Sequence, residues 1–229
     1  MTASDERDLE EPGALRSFQS RFPPEFLRDY QAGALRYTYR GRNCQKGPID
    51  LALYTKLIHD EKPGSIIEIG TYLGGSAMFF RDTCRIAGLP TRIVTCDLHR
   101  PDNAGERPGD EDITFLKVDG ENIADSALHG LLNELPRPWL VIEDSAHTMP
   151  VCLAVLHYFA DRLERGELLV MEDGILDELG MSEAYQGGPN EAIRRFFSER
   201  PDVFSIDTAY ADFFGTNATY APNAWLRRR

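Results

Sequence analysis

The sequence predicts an α/β domain whose mostly parallel sheet carries helices on both faces. Short apolar, β-branched runs recur along the 229 residues, and stretches with helical periodicity lie between several of them. Strands that are apolar throughout must be covered on both faces, as in the parallel sheets of α/β proteins. The predicted strands are residues 65–69, 92–96, 113–118, 139–142, 168–171 and 203–206.

The chain before the first of these strands divides into an arm, a loop and a helix. Residues 1–36 form a predicted N-terminal arm, and its start, residues 1–13, is acidic, poor in apolar side chains and expected to be disordered. Residues 37–48 form an aromatic and basic loop. A helix is predicted to begin near Pro48 and to end before Pro63, because proline suits a first helical turn and disfavours helix at the residue before it.

The rest of the chain alternates between strands and helices. Helical patterns are predicted at residues 75–87, 122–135, 150–165 and 189–199. Residues 218–226 are predicted to form a last strand, antiparallel and at or near the sheet edge. The sequence has no internal repeat and no low-complexity tract, so residues 37–229 are predicted to form one domain.

Composition excludes several classes of partner. The net charge of −12 and the pI of about 4.9 argue against nucleic acid or an anionic membrane as the main partner. No apolar run approaches the roughly 20 residues of a membrane-spanning helix, and the N-terminus lacks the apolar core of a signal peptide. The four cysteines have no metal-binding spacing and are interpreted as reduced thiols. A cytoplasmic protein is expected.

The segment SIIEIGTYLGGS, residues 65–76, predicts a ligand-binding turn between a strand and a helix. Its spacing is E-x-G-x-x-x-G, without the second close glycine that a pyrophosphate requires. A carboxylate at this point suits a ligand with a cationic or hydroxylated end and no phosphate, and S-adenosylmethionine (SAM) meets that description. The alternative is a turn that only begins a helix. The residues predicted to contact the ligand are Glu68, Gly70, Thr71, Tyr72, Gly74, Gly75 and Ser76.

Acids also end the next two predicted strands. Ligands of open α/β sheets bind beyond the carboxyl ends of the strands. Asp97 is therefore predicted to accept hydrogen bonds from ribose hydroxyls, and Asp119 with Gly120 to reach an adenine amino group. The alternative for both acids is a helix cap or a turn.

Two further strands each end in a pair of acids, Glu143-Asp144 and Glu172-Asp173. Carboxylates crowded at one sheet edge repel one another, so a cation is expected among them. Oxygen ligands suit Mg²⁺, and also Mn²⁺ or Ca²⁺, and the predicted ligands are Asp144, Glu172 and Asp173. One pair could instead cap a helix. His147 follows Asp144 closely and is a candidate proton acceptor, or a histidine that packs at a helix start.

Four segments together resemble the cephalosporin hydroxylase / rhamnosyl O-methyltransferase family of class I SAM-dependent methyltransferases. The segments are KGPIDLALYTKLIHDEKPGSIIEIGTYLGGSAMFF, VIEDSAHT, LLVMEDG and NATYAPNAWLRR. The resemblance extends from residue 37 to the C-terminus. It implies a Rossmann-like sheet of seven strands, SAM above the first two strand ends, and a divalent metal, usually Mg²⁺. It also implies Asp144, Glu172 and Asp173 as metal ligands.

The expected function is O-methylation of a sugar or glycan, of mannose or rhamnose type, in an actinobacterial glycan or natural-product pathway. The metal would hold two neighbouring hydroxyls, and His147 or Asp144 would accept the proton. The loops 37–48 and 180–189 are expected to frame the entrance, unless they are ordinary surface or a dimer contact. A homo-oligomer, most simply a dimer, is expected from the family. The alternatives are a metal-dependent oxidoreductase or hydrolase on a nucleotide-binding fold, and a non-catalytic SAM-binding protein. The loop side chains that suit a sugar are Tyr39, Arg40, Arg42 and Lys46.

Overall fold

The computed structural model of the chain describes residues 16–99 and 104–229. The disorder predicted for residues 1–13 lies outside these residues. No helix within the described ranges has the length and apolar character needed to cross a bilayer. The four cysteines all lie in these ranges, and each is buried and free.

The elements follow one another in the alternating order that the sequence predicts. The helices are α1 (Pro24–Ala34), α2 (Pro48–Glu61), α3 (Gly75–Ile86), α4 (Ala127–Leu131), α5 (Met149–Ala160), α6 (Gly188–Glu199) and α7 (Thr208–Ala211). The strands are β1 (Thr38–Tyr39), β2 (Arg42–Asn43), β3 (Ser65–Ile69), β4 (Arg92–Asp97), β5 (Ile113–Lys117), β6 (Trp139–Glu143), β7 (Leu168–Met171), β8 (Phe204–Ile206) and β9 (Trp225–Arg228).

The described residues form a seven-stranded sheet in the order β5-β4-β3-β6-β7-β9-β8. The first five strands of that order are parallel, and β9 is antiparallel to both of its neighbours. Every residue of β3, β6 and β7 is buried, so these strands are covered on both faces. The predicted α/β class is confirmed. The last strand is antiparallel and one position from the sheet edge, but the predicted range of 218–226 is wrong, because only Trp225 and Leu226 of it belong to β9.

The parallel register brings the carboxyl ends of the central strands to one edge of the sheet. Ile69 at the end of β3 is paired with Cys96 on one side and with Glu143 on the other, and Glu143 is paired with Met171. The residues that follow these strands therefore meet at that edge, where parallel sheets place their ligands.

The single helix predicted over residues 122–135 is wrong. This segment consists of α4 between two 3-10 helices, Gly120–Asp125 and Leu132–Glu134. The Asp119 side chain caps the first 3-10 helix, and Ser126 is extended, with φ −106° and ψ 165°, which interrupts the helical run. The predicted 37–48 loop likewise contains a short hairpin, because β1 pairs with β2.

The described part of the N-terminal arm packs on the C-terminal half of the chain. Arg16 binds both carboxylate oxygens of Asp212 at 2.7 Å, and Asn217 Nδ2 donates to the Ser17 carbonyl at 2.8 Å. Leu27 of α1 is buried in a small apolar cluster with Tyr220. Residues 16–36 are thus held against the domain. The boundary between arm and domain at residue 37 stays a prediction.

Gly75→Ala is expected to destabilise the fold, because a Cβ there would lie 2.2 Å from the Asn43 carbonyl oxygen of β2. Backbone cannot yield as a flexible side chain does, so we expect a loss of about 2–3 kcal/mol. Gly33→Ala in α1 is the matched control, since its Cβ would meet no atom within 4 Å and alanine favours a helix. Urea denaturation measures both variants, and equal stabilities would contradict the packing described here.

Candidate active site

A cavity of about 420 Å³ opens at the carboxyl edge of the sheet. Its walls come from the turns after β3, β4, β5, β6 and β7, together with α1 and the segment that follows β2. The predicted site residues that line it are Gly70, Thr71, Tyr72, Ser76, Asp97, Asp119, Gly120, Asp144, His147 and Asp173.

The turn after β3 is built around Gly70, whose φ is +116°. A Cβ at this position would lie 1.9 Å from the Asp144 carbonyl oxygen, so only glycine fits. The backbone N–H groups of Thr71 and Tyr72 both donate to Asp97 Oδ2, at 2.9 and 2.8 Å. Asp97 therefore fastens the turn to the end of β4. Its predicted contact with a ribose stays a prediction.

Glu68 is fully buried beneath this turn. Its Oε2 accepts a hydrogen bond from the Thr95 hydroxyl at 2.6 Å, which lies 2.8 Å from the Thr71 hydroxyl. Among the described residues its Oε1 has no hydrogen-bond partner. Burial raises the pKa of Glu68 to about 7, against the opposing effect of the Lys46 ammonium. The carboxyl group supports the turn and does not line the cavity.

The two glycines that begin α3 also lie outside the cavity lining. Gly74 has a φ of +81°, and a Cβ there would lie 3.2 Å from Arg107 Nη2. Gly75 packs against β2. The left-handed φ accounts for Gly74 and close packing accounts for Gly75, and a direct contact of either with a cofactor stays a prediction.

Asp119 lies exposed at the rim of the cavity and acts as a helix cap. Its Oδ1 accepts from the Glu121 N–H at 3.0 Å, and its Oδ2 accepts from Asn122 Nδ2 at 2.9 Å. The structure therefore shows the alternative prediction, in which the Asp119 side chain caps a helix. Its contact with an adenine, and that of Gly120, stay predictions.

Three side chains at the ends of β6 and β7 form a candidate metal site. Asp144, His147 and Asp173 each offer a ligand atom, and these atoms lie within 4.8 Å of one another. His147 Nε2 is 3.2 Å from Asp173 Oδ2. His147 and Asp173 have φ values of +55° and +60°, which are strained for residues with a side chain and are typical of functional sites.

Glu172 is not part of this group, although the sequence predicts it as a ligand. Its Oε1 accepts hydrogen bonds from the Tyr54 hydroxyl and from Lys46 Nζ, the latter at 2.8 Å. Lys46 Nζ also donates to Asp144 Oδ2 at 2.9 Å. The structure thus groups Asp144 and Asp173 with His147 and places Glu172 against a buried lysine.

A sequence model of the family described as Rhamnosyl O-methyltransferase/CmcI matches residues 32–229. The chain belongs to this family. It is 31% identical over 192 residues to the rhamnosyl O-methyltransferase of Mycobacterium tuberculosis (strain ATCC 25618 / H37Rv), covering 83% of this chain and 78% of the relative. The apo structure of CmcI is 25% identical with a TM-score of 0.65, covering 96% of this chain and 91% of CmcI. A CmcI structure titled as a Mg-SAM complex is 24% identical, with a TM-score of 0.64 and coverages of 96% and 90%.

These similarities confirm the predicted family, the class I methyltransferase fold and the assignment to the SAM-dependent O-methyltransferases. The candidate metal site of Asp144, His147 and Asp173 includes a histidine with a raised pKa. Burial lowers the pKa of His147, but Asp173 and Asp144 outweigh it, so the pKa is raised overall. Its Nδ1 is buried and has no hydrogen-bond partner in the described part of the chain.

The two loops expected to frame the entrance differ in what they contribute. Three polar side chains of the 37–48 loop pair with the methyltransferase's own acids: Tyr39 and Arg40 with Asp82, and Arg42 with Asp110. The loop lines the cavity instead through Asn43, Cys44 and Gln45. The 180–189 loop contributes Tyr185. Gln31 and Tyr220 also line the cavity, and the sequence analysis missed both because neither follows a strand in a recognisable motif.

Glu68→Gln is expected to stabilise the ligand-free methyltransferase above pH 7 and to have little effect at pH 4.5. With a pKa of about 7 against an ordinary value of 4.5, the folded chain holds this proton more tightly than the unfolded chain. Ionisation therefore costs stability progressively between these pH values, up to about 3 kcal/mol. Thermal unfolding at pH 5, 6, 7 and 8 measures the difference, with the exposed Glu121→Gln as control. A constant difference across this range would contradict the assignment.

Proposed function

We propose that this chain transfers the methyl group of SAM to a hydroxyl of a sugar or glycan, with a divalent cation bound beside the acceptor. The observation that carries the proposal is a single cavity lined by both the Gly70 turn and the metal group of Asp144, His147 and Asp173. A methyl donor at the turn and an acceptor at the metal group would meet inside it. The relative's name and the Mg-SAM title of the CmcI structure support this choice.

The acceptor is proposed to be of rhamnose or mannose type, from an actinobacterial glycan or natural-product pathway. The name of the mycobacterial relative supports rhamnose. Tyr185 is half-buried at the cavity wall and offers an aromatic ring of the kind on which sugar rings pack. A dimer is the proposed assembly.

The residues of the metal group fit Mg²⁺, with Mn²⁺ or Ca²⁺ as alternatives. Their donor atoms are carboxylate oxygens and one imidazole nitrogen, without a thiolate. Asp144 keeps its Oδ1 for a cation, since its Oδ2 faces Lys46. Glu172 lies outside this group, with its Oε1 bound by Lys46 and Tyr54, so Asp144 and Asp173 are the proposed principal ligands. A bound dication would fix two neighbouring hydroxyls and ease loss of a proton from one of them.

The residues around the Gly70 turn fit SAM. Only glycine fits at the turn, because the Asp144 backbone occupies the place of a side chain, and the turn itself lines the cavity. The proposed cofactor contacts at this end of the cavity are Thr71, Tyr72, Ser76 and Asp97, with Asp119 and Gly120 at the rim. Asp97 Oδ1 accepts one backbone N–H, from His99, and has further capacity for a ribose hydroxyl.

His147 is the proposed proton acceptor. Its Nε2 lies against Asp173 Oδ2, which stabilises the protonated ring, and its Nδ1 has no partner among the described residues. As the acceptor oxygen attacks the methyl carbon in line, the carbon–sulfur bond breaks, and the hydroxyl proton passes to the imidazole. Asp144 is the alternative base.

Incubation with methyl-labelled SAM and a panel of rhamnosides, mannosides and free sugars tests the proposed reaction. We expect transfer of label to at least one glycoside in Mg²⁺, loss of transfer in excess EDTA, and recovery when Mg²⁺ is restored. Thermal shift with S-adenosylhomocysteine accompanies the assay. Binding of this product without transfer to any glycoside would favour the non-catalytic alternative, and full transfer in EDTA would exclude the proposed metal.

Substitutions in the metal group are expected to separate proton transfer from metal binding. His147→Ala should slow transfer by roughly 10²–10⁴-fold, the usual contribution of a general base. Asp173→Asn should cost more, because it removes a proposed ligand and the partner of His147 together. His129→Ala is the control, since that histidine is exposed and bound to Tyr158. Wild-type rates for both site variants under saturating substrates would contradict the proposed roles.

A further inference from the structure

Lys46 is held rigidly by its neighbours in the segment between β2 and α2. Gln45 before it has a φ of +52°. Gly47 after it packs so closely on Tyr30 that a Cβ would lie 2.2 Å from the hydroxyl oxygen, and that hydroxyl accepts the Ile49 N–H at 3.0 Å. The backbone is therefore fixed on both sides of the lysine, and its side chain enters the domain in one direction.

The ammonium group of Lys46 lies among acids at the end of the sheet. Its side chain is only 2% exposed, and Nζ is 2.8 Å from Glu172 Oε1 and 2.9 Å from Asp144 Oδ2. It also lies 5.6 Å from the centre of the Tyr54 ring, whose hydroxyl donates to the same Glu172 oxygen. A charge buried this deeply is stable only when it is paired, so the lysine and the two acids depend on one another.

We propose that Lys46 is a positioning residue for the metal site: its ammonium group holds Asp144 and Glu172 at the sheet edge while no dication is bound. The inference rests on the proposed function only in that a divalent metal binds at this site. In the metal-free chain Lys46 offsets the charge of Glu172 and one oxygen of Asp144. The other oxygen of Asp144 and the carboxylate of Asp173 are left available for a cation.

A charge role for Lys46 predicts an experimental result that a packing role does not predict. If Lys46 acts through its charge, its loss leaves Glu172 buried and unpaired, and removal of the Glu172 charge in the same chain should relieve the damage. Asp144 tolerates the loss better, because its side chain is 20% exposed and reaches water. A dication in the neighbouring group should also replace part of the missing positive charge.

A double-mutant cycle in EDTA tests the proposal, with wild type, Lys46→Met, Glu172→Gln and the double variant. Methionine keeps the length and apolar contacts of the lysine stem, and glutamine keeps an acceptor for the Tyr54 hydroxyl. Lys46→Met should lower Tm by roughly 10 °C, and the double variant should recover at least half of that loss. Lys56→Met is the control: it breaks a half-exposed pair with Asp60 on α2 and removes an ammonium near the Tyr210 and Phe213 rings, and it should lower Tm much less than Lys46→Met.

The proposal is overturned if Lys46→Met is no less stable than Lys56→Met. It is also overturned if the changes in Tm caused by Lys46→Met and Glu172→Gln are additive in the double variant. Should Lys46→Met yield no folded protein, the folded yield of the double variant gives the same decision: recovery supports the charge role, and no recovery overturns it. Mg²⁺ titration then tests the proposed metal separately. Mg²⁺ should raise the Tm of Lys46→Met more than that of wild type, whereas no shift in either protein would reject the metal and leave the outcome of the cycle intact.

Discussion

The structure depends on how the chain offsets the repulsion between carboxylates at the ends of β6 and β7. Each of these acids has a partner within the fold. The buried Glu143 accepts hydrogen bonds from Ser145 and from Cys152 Sγ, the latter at 3.3 Å. Glu172 and Asp144 share Lys46, and Asp173 faces His147. Because each charge is met within the fold, the acids can stay crowded at the one edge where a ligand can reach them.

At this sheet edge the Gly70 turn contacts the segment that carries Asp144. The Asp144 N–H donates to the Ile69 carbonyl at 2.7 Å, and the Asp144 carbonyl lies directly against Gly70. The turn that would hold a methyl donor is therefore in backbone contact with the group that would hold an acceptor. Methyl transfer requires the two reacting atoms in line at close range, and this backbone contact fixes the spacing between the two segments.

Much of this could be predicted from the sequence, because apolar strands and the acids that follow them are local patterns. The fold class, strands β3 to β8 and the meeting of Asp144 with Asp173 follow from where apolar runs end. The partners of the acids could not be predicted in this way. The register pairs Glu143 with Met171, so Asp144 and Glu172, which follow them, lie side by side and share the Lys46 ammonium group. Register between strands is a tertiary property, and Lys46 is 98 residues from Asp144.

The helix predicted over residues 122–135 is wrong because of local hydrogen bonds. The run after β5 has helical periodicity, yet Asp119 caps a 3-10 turn and Ser126 is extended, so short-range hydrogen bonds prevailed over the periodic pattern. The left-handed backbone of His147 and Asp173 could not be predicted either, because aspartate and histidine adopt a positive φ more often than most residues but still only rarely. Both side chains reach the cavity by way of that backbone.

Anomalous diffraction at the manganese edge, from crystals grown with Mn²⁺ and S-adenosylhomocysteine, is the most direct test. The central claim is that donor and cation share one cavity at the carboxyl edge of the sheet. It requires a manganese peak within coordination distance of Asp144 and Asp173, with the cofactor product above the Gly70 turn. Density for the product elsewhere, or well-ordered acids with Mn²⁺ present and no peak between them, would contradict it.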